Sequence, residues 1–269
     1  MNLIFRALVF SALLFVPSAN AAQPAADYKP KMGQKGKDVV WIPSPDDMVE
    51  KMLDIAKVTP QDFVIDLGSG DGRNVIAAAR RGARALGVEY NPDLVELSKR
   101  NAAAAGVADR ASFVQGDMFA ADLSKATALV LFLIPANLWK LAPKFLDLKP
   151  GTRIVSNTYE IGLGWEPDAT DRTELCATWC VAYLYIVPAK VAGTWRMPDG
   201  ELQLEQSYQK VYGTYELAGI RLDIDGTLRG NEIRFMANGV EYTGVVDGNS
   251  MRGQSKGRTT SAWSAQRVN

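Results

Sequence analysis

An apolar run that stops at three alternating glycines constrains the fold of this chain more than any other stretch. Phe63 to Leu67 has the composition of a buried strand, and Gly68, Gly70 and Gly72 follow it directly. Asn74 to Arg81, which comes next, is rich in helix formers. A strand, a glycine turn and a helix in this order bring a nucleotide-like ligand to a helix N-terminus, where glycine exposes the bare backbone. The stretch therefore predicts a cofactor site.

Strands and helices alternate on both sides of this turn. The predicted strands are Phe63–Leu67, Ala85–Glu89, Ala111–Gln115, Ala128–Leu133 and Arg153–Thr158, and the predicted helices include Pro92–Ala105 and Pro135–Leu146. An earlier helix, capped by Ser44 or Asp46, is expected to end near Val58. Val181–Val187 is predicted as one more strand, antiparallel at the sheet edge. The pattern indicates an α/β fold with a doubly wound, mostly parallel, Rossmann-like sheet.

The C-terminal region has a different pattern. From about Gly193 the helical period is lost, and short alternating runs are separated by Asp225-Gly226, Asn238-Gly239 and Asp247-Gly248. Such dipeptides between alternating runs are typical of β-hairpins. We expect a C-terminal antiparallel β meander, either a small barrel or a curled sheet. It would serve as a structural cover or as a module that docks a substrate or partner.

The first residues have the three-part pattern of a secretory signal peptide. A short segment with Arg6 precedes the apolar run Ala7–Val16, and Ala19-Asn20-Ala21 forms a small-x-small cleavage site. The sequence therefore predicts a signal peptide at 1–21, a flexible lead-in at 22–38, the α/β domain at 39–190 and the β domain at 191–269. The protein is expected to be exported to the periplasm; an uncleaved N-terminal anchor is the alternative.

Composition narrows the chemistry. The chain contains no histidine, which excludes histidine metal ligands, histidine bases and serine-histidine triads, and we expect no metal site. Its 30 basic and 30 acidic residues balance, so no nucleic-acid surface is expected. Cys176 and Cys180 could form a disulfide if a turn brings them together, or remain buried thiols.

Acidic residues around the glycines indicate which cofactor the turn binds. The dinucleotide fingerprint requires a third spaced glycine where this chain has Arg73. Asp66 and Asp71 would repel a pyrophosphate but suit an ammonium or sulfonium group. Glu89 ends the second strand, where a carboxylate can accept hydrogen bonds from both ribose hydroxyls. The charges favour S-adenosylmethionine over NAD.

The run DLGSGDGR, followed by GVEYNP and QGDMF, resembles the class I, seven-β-strand S-adenosylmethionine-dependent methyltransferases. The lead-in WIPSPDDMVEKML and the later FLIPANLWKL resemble, more narrowly, the protein-lysine methyltransferases that modify the ATP synthase c-subunit or the adenine nucleotide translocase. The similarity covers about Val40 to Val187.

The resemblance implies a role for each cofactor residue. Asp66 and the glycine loop would form the floor under the methionine part, Glu89 would hold the ribose, and Asp117 would accept from the adenine amino group. The full set of predicted cofactor residues is Pro43, Ser44, Asp66, Gly68, Ser69, Gly70, Asp71, Gly72, Glu89, Tyr90, Asn91, Asp117 and Met118. Tyr159 and Glu160, which follow the fifth strand, are the predicted catalytic residues; Asn137, Asn157 and Trp165 are further candidates.

Three functional hypotheses follow. The first is N-methylation of a protein lysine, with an association of the enzyme with the membrane surface as a further expectation. The second is methylation of a small molecule whose pocket includes part of the C-terminal meander. The third is an exported protein that binds S-adenosylmethionine without turnover, because this cofactor is made in the cytosol.

Overall fold

The apolar runs in the first half of the chain form the strands of one sheet. The computed structural model describes residues 28–174 and 178–268. Its first seven strands are β1 (Phe63–Leu67), β2 (Arg84–Glu89), β3 (Ala111–Gln115), β4 (Ala128–Leu131), β5 (Arg153–Asn157), β6 (Ala169–Arg172) and β7 (Val181–Ile186). Their order is β3-β2-β1-β4-β5-β7-β6; β1 to β5 run parallel, and β7 is antiparallel to β5 and β6. The predicted α/β fold is confirmed.

Helices cover both faces of this sheet. They are α1 (Asp46–Ile55), α2 (Arg73–Arg80), α3 (Pro92–Ala104) and α4 (Pro135–Leu146). The first three share one buried cluster with one face of the strands, and α4 packs in the cluster on the other face. Strands buried on both sides explain the continuous apolar runs. Within the described ranges, no helix has the length and apolarity needed to cross a membrane.

Three local predictions were wrong. Helix α1 is preceded by Pro45 and has no side-chain cap, because Ser44 turns toward β5, where its Oγ lies 3.4 Å from Asn157 Nδ2. Strand β4 ends at Leu131, two residues early. The sheet edge is β6 and not β7; β6 was missed because its four residues, ATDR, are only half buried and contain no apolar run.

The C-terminal region forms a closed antiparallel barrel, which is one of the two expected forms. Its strands are β8 (Gly193–Met197), β9 (Gly200–Ser207), β10 (Lys210–Leu217), β11 (Ile220–Arg229), β12 (Glu232–Ala237), β13 (Val240–Asp247), β14 (Ser250–Lys256) and β15 (Thr260–Arg267). Asn238-Gly239 and Asp247-Gly248 lie at hairpin turns as predicted. Asp225-Gly226 does not: it lies inside β11, where the Gly226 backbone approaches Phe235 too closely for a side chain.

The barrel contacts the α/β domain through its β9–β10 and β11–β12 turns. The Tyr208 ring stacks on Trp165 at 5.7 Å, and Gln209 Nε2 donates to the Glu166 carbonyl at 2.9 Å. In the second turn, the Gly230 carbonyl accepts from Ala189 N at 2.8 Å. Trp165, a sequence candidate for the acceptor side, is 1% exposed and packs in this interface.

Several predictions fall on residues outside the described ranges. They are the signal peptide, the first part of the lead-in before Tyr28, and the pairing of Cys176 with Cys180. The rest of the lead-in, from Tyr28, contains backbone hydrogen bonds. Gly33 N donates to the Trp41 carbonyl and Trp41 N to the Gln34 carbonyl, each at 2.9 Å, which folds this segment back on itself.

Candidate functional site

A cleft lies at the carboxyl ends of β1 and β2, beside the point where the strand order reverses between β1 and β4. Open α/β sheets bind ligands at such switch points. All the predicted cofactor residues except Gly72 line this cleft. No barrel residue lies among the described residues that line it.

The glycine loop forms the floor of the cleft. Gly68, Gly70 and Gly72 have φ of 72°, 58° and 83°, in the left-handed region. A Cβ on Gly70 would lie 2.7 Å from Trp41 Nε1, because the lead-in folds over the loop. Gly72 does not line the cleft, and its role is structural: a Cβ there would lie 2.7 Å from the Phe113 ring.

We expect Gly72→Ala to lower the free energy of unfolding by about 2–4 kcal/mol, because it combines a left-handed backbone with overpacking. Gly106 is the matched control, since its φ is 70° and a Cβ there meets nothing within 4 Å. Gly106→Ala should therefore lower the free energy of unfolding by only the cost of the left-handed backbone, about 1 kcal/mol. Chemical denaturation of both variants measures the difference, and equal losses would contradict the packing role.

Asp66 is a buried acid at the end of β1. Its side chain is 2% exposed, and its Oδ2 accepts from Asn74 Nδ2 at 3.0 Å. Burial raises the pKa of this carboxyl well above its usual range, and the charges of Glu89 and Asp71 raise it further. A buried carboxylate is stabilised by a cation beside it, so this position fits the ammonium group of a bound amino acid.

Asp71 has a different partner from the one expected. Its two oxygens accept from Arg73, with Nη2 at 2.6 Å and Nε at 3.0 Å. Arg73 also donates from Nη1 to the Ser44 carbonyl at 2.6 Å, which ties the lead-in to the loop. The arginine that replaces the third glycine therefore neutralises Asp71, and Asp66 is the acid that remains for a cationic ligand.

Glu89 is held rigidly at the end of β2. One carboxylate oxygen accepts from Gly70 N at 2.9 Å and the other from Asn91 N at 2.9 Å. Each oxygen keeps a free lone pair, so the carboxylate can still accept from two vicinal hydroxyls. This geometry fits the predicted ribose contact.

Lys37 of the lead-in lies at the end of the cleft where Asp117 is predicted to bind adenine. Its Nζ lies 2.7 Å from Asp117 Oδ2 and 4.9 Å from the centre of the Tyr90 ring. This hydrogen bond lowers the pKa of the Asp117 carboxyl, and the backbone N–H of Phe119 contributes. Lys37 occupies Oδ2 and the Phe119 N–H occupies Oδ1, so the predicted bond from the adenine amino group would use the remaining lone pair of either oxygen.

The predicted catalytic residues Tyr159 and Glu160 do not line the cleft. Tyr159 packs half-buried against the cluster around α4, and Glu160 is exposed. Thr158, which precedes them, has a φ of 69°, in the left-handed region. Asn157, the last residue of β5, is fully buried against Ser44. Asn137 is buried on α4.

Sequence reasoning gave no role in the site to Lys37, Trp41 and Phe132, which also line the cleft. Two of these are aromatic, and each is the first residue of a motif that had been recognised: Trp41 begins WIPSPDDMVEKML and Phe132 begins FLIPANLWKL. An aromatic residue within a recognised motif was the available signal.

The comparisons with known proteins agree with this geometry. Residues 66–169 match the family model of the ANTKMT methyltransferase domain. A protein-lysine N-methyltransferase of Saccharolobus islandicus is 41% identical over 152 residues, which are 55% of this chain and 94% of that protein. The chain belongs to this methyltransferase family.

Two further matches differ in their described substrates. A mouse lysine N-methyltransferase of the ATP synthase c-subunit is 36% identical over 43% of this chain, which spans about half of that relative (47%). A crystal structure of an RNA methyltransferase from Salinibacter ruber with S-adenosylhomocysteine has 45% identity and a TM-score of 0.53; the match covers 56% of this chain and 96% of that one. The protein is thus a class I S-adenosylmethionine-dependent methyltransferase, and the cleft described above remains its predicted cofactor site.

Proposed function

We propose that this enzyme methylates the side-chain amine of a protein lysine. The observation that supports this most is the identity to a protein-lysine methyltransferase over nearly all of that relative's length, in a chain whose cleft retains Asp66 and Glu89. S-adenosylmethionine supplies an electrophilic methyl group on a sulfonium. The lysine nitrogen uses its lone pair to form the new N–C bond, the S–C bond breaks, and the ammonium proton passes to water.

The acceptor would approach beside Phe132. This ring lines the cleft at the end of β4, and Trp179 lies against it with ring centres 5.8 Å apart. Trp179 has a φ of 61°, a backbone conformation that is rare for so large a side chain. An apolar aromatic wall would favour the neutral amine by desolvation, which lowers the pKa of the incoming lysine. This wall replaces Tyr159 and Glu160 as the proposed acceptor side.

We expect Phe132→Ala to raise the KM for the protein acceptor about tenfold and to raise the Kd for S-adenosylhomocysteine by a smaller factor, because the ring also lines the cofactor cleft. The control is Trp139→Ala, which removes an aromatic ring from α4 that is 50% exposed. Steady-state kinetics and titration calorimetry separate the two constants. A loss of cofactor affinity equal to the loss in KM would contradict the acceptor role.

The proposal is tested with the purified chain, S-adenosylmethionine carrying a tritiated methyl group, and a cell-envelope extract. We expect label in protein, recovered as methyl-lysine after acid hydrolysis. Label that nuclease treatment removes would indicate an RNA acceptor, and label in the small-molecule fraction would indicate a metabolite. Cofactor binding in calorimetry without any labelled acceptor would support the binding protein without turnover. The small-molecule hypothesis expected the barrel to form part of the acceptor pocket, and no barrel residue is among the described residues that line the cleft.

We further propose that the enzyme is exported and acts in the periplasm, at a protein on the membrane surface. The support is the charged start, apolar run and small-x-small site of residues 1–21. Mass spectrometry of the mature protein from separated periplasm should find Ala22 at its N-terminus. An intact Met1 on a cytosolic protein would overturn this location and leave the lysine proposal standing.

A further inference from the structure

The barrel has a cavity at one end that the methyltransferase site does not use. It occupies about 450 Å³ between the β8–β9 turn and the β14–β15 turn. Sites for small ligands typically measure about 300–1,000 Å³, and eight-stranded barrels are large enough for one such ligand. The cavity is therefore large enough for one small ligand or for the end of a long side chain.

This end of the barrel points away from the α/β domain. The turns that contact that domain, β9–β10 and β11–β12, lie at the opposite end, because consecutive antiparallel strands turn at alternate ends. Strands of eight residues separate the two ends by about 25 Å. The cavity is thus a site distinct from the cofactor cleft.

Aromatic rings form the inner wall of the cavity. Tyr242 lies edge-on to Tyr215 and to Trp263, with ring centres 6.0 Å apart in each pair. The Tyr242 ring is stacked on Phe235 at 4.7 Å, which fixes it in place. Rings set at large angles to one another around a cavity are the arrangement that receives quaternary ammonium groups.

A carboxylate lies at the mouth of the same cavity. Asp199 is exposed, and its Oδ1 accepts from the Tyr215 hydroxyl at 2.7 Å. Burial, followed by this hydrogen bond and the Asp199 charge, raises the pKa of Tyr215, so its phenol stays neutral. Arg258 also lines the cavity, but no ion pair joins it to Asp199 in the described part of the chain. The carboxylate can therefore accept an external cation.

We propose that the barrel cavity binds a methylated ammonium group, that of methyl-lysine. This rests on the function proposed above, whose product carries that group. Each methyl group added to the amine increases its apolar surface and removes one hydrogen-bond donor, which weakens its solvation by water. Aromatic faces beside a carboxylate should therefore bind the methylated ammonium group more tightly than the unmethylated one. The enzyme would hold a modified segment at the barrel while another lysine reaches the cleft.

The test uses the full chain and two probes, tetramethylammonium and a peptide with one trimethyl-lysine; the unmethylated peptide is the comparator. We expect saturation-transfer NMR to show contact between the N-methyl protons and aromatic protons, and the methylated peptide to bind at least tenfold more tightly. Asp199→Asn should weaken binding of both probes about tenfold. Asp247→Asn, an exposed acid at the opposite end of the barrel, should leave it unchanged.

Absence of binding at millimolar probe, or equal affinity for the two peptides, would overturn the proposal. So would unchanged binding in Asp199→Asn. Because Asp199 is exposed, this variant is expected to fold, and its thermal unfolding and S-adenosylhomocysteine affinity verify that. Ammonium binding needs no turnover, so a failed lysine-methylation assay and a failed barrel test are distinguishable.

Discussion

Glu89→Ala is expected to weaken S-adenosylhomocysteine binding at least 100-fold, as measured by titration calorimetry. The reason is the loss of two hydrogen bonds from ribose hydroxyls to a charged acceptor, each worth about 1.5–3 kcal/mol. The substitution also releases Gly70 N and Asn91 N, which the carboxylate now holds at 2.9 Å. The glycine loop therefore loses order together with the ribose contact.

Two further variants make this result specific. Glu89→Gln keeps an acceptor for one loop amide but loses the charge, and we expect an intermediate affinity. Glu96→Ala removes an acid that pairs with Lys99 at 2.7 Å within α3, and it should leave cofactor binding unchanged. If the Kd of Glu89→Ala equals that of the unmodified enzyme, Glu89 does not bind the ribose.

Asp66→Asn is expected to weaken cofactor binding at least tenfold and to remove its pH dependence. The buried carboxyl has a raised pKa in the folded protein, yet it must be ionised to pair with the cofactor amino group. Cofactor affinity should therefore rise with pH through the folded-state pKa, and binding below that pKa should release a proton. Calorimetry in buffers of different ionisation enthalpy counts this proton.

The free energy of unfolding of the ligand-free enzyme should change with pH in the direction opposite to cofactor affinity. The folded state binds the Asp66 proton more tightly than the unfolded state, whose pKa is about 3.9. The contribution of Asp66 is therefore fully present below that value and is lost as pH rises through the folded-state pKa. Thermal unfolding of Asp66→Asn at several pH values should lack the loss of stability that Asp66 causes as pH rises. The same pH dependence in the variant and in the unmodified enzyme would contradict this contribution.

The core of the fold was predictable because its signals are local. An apolar run, a glycine turn and a helix of good formers recur along the α/β domain, and each of these patterns depends on neighbours in sequence. Strand β6 and the continuous strand through Asp225-Gly226 were not predictable from such patterns. β6 is stabilised by pairing with β7, and Gly226 is required by its distance from Phe235 across the sheet.

The same division applies to the site. Motifs after consecutive strands identified Asp66, Glu89 and Asp117, because parallel strands bring their carboxyl ends to one edge. The partner of Asp117 could not be inferred, since Lys37 lies 80 positions away in the sequence. Tyr159 and Glu160 were expected at that edge on position alone, and neither of them lines the cleft.

By itself, then, the sequence determined the parallel sheet, the glycine floor and the acids that select an S-adenosylmethionine-like ligand. Tertiary structure alone decided that Lys37 pairs with Asp117, that the lead-in covers the cleft, and that the barrel closes with an aromatic cavity at its far end. The physical reason is that hydrophobic period and turn chemistry act between near neighbours. Charge pairing and ring packing depend on which distant segments the fold brings into contact.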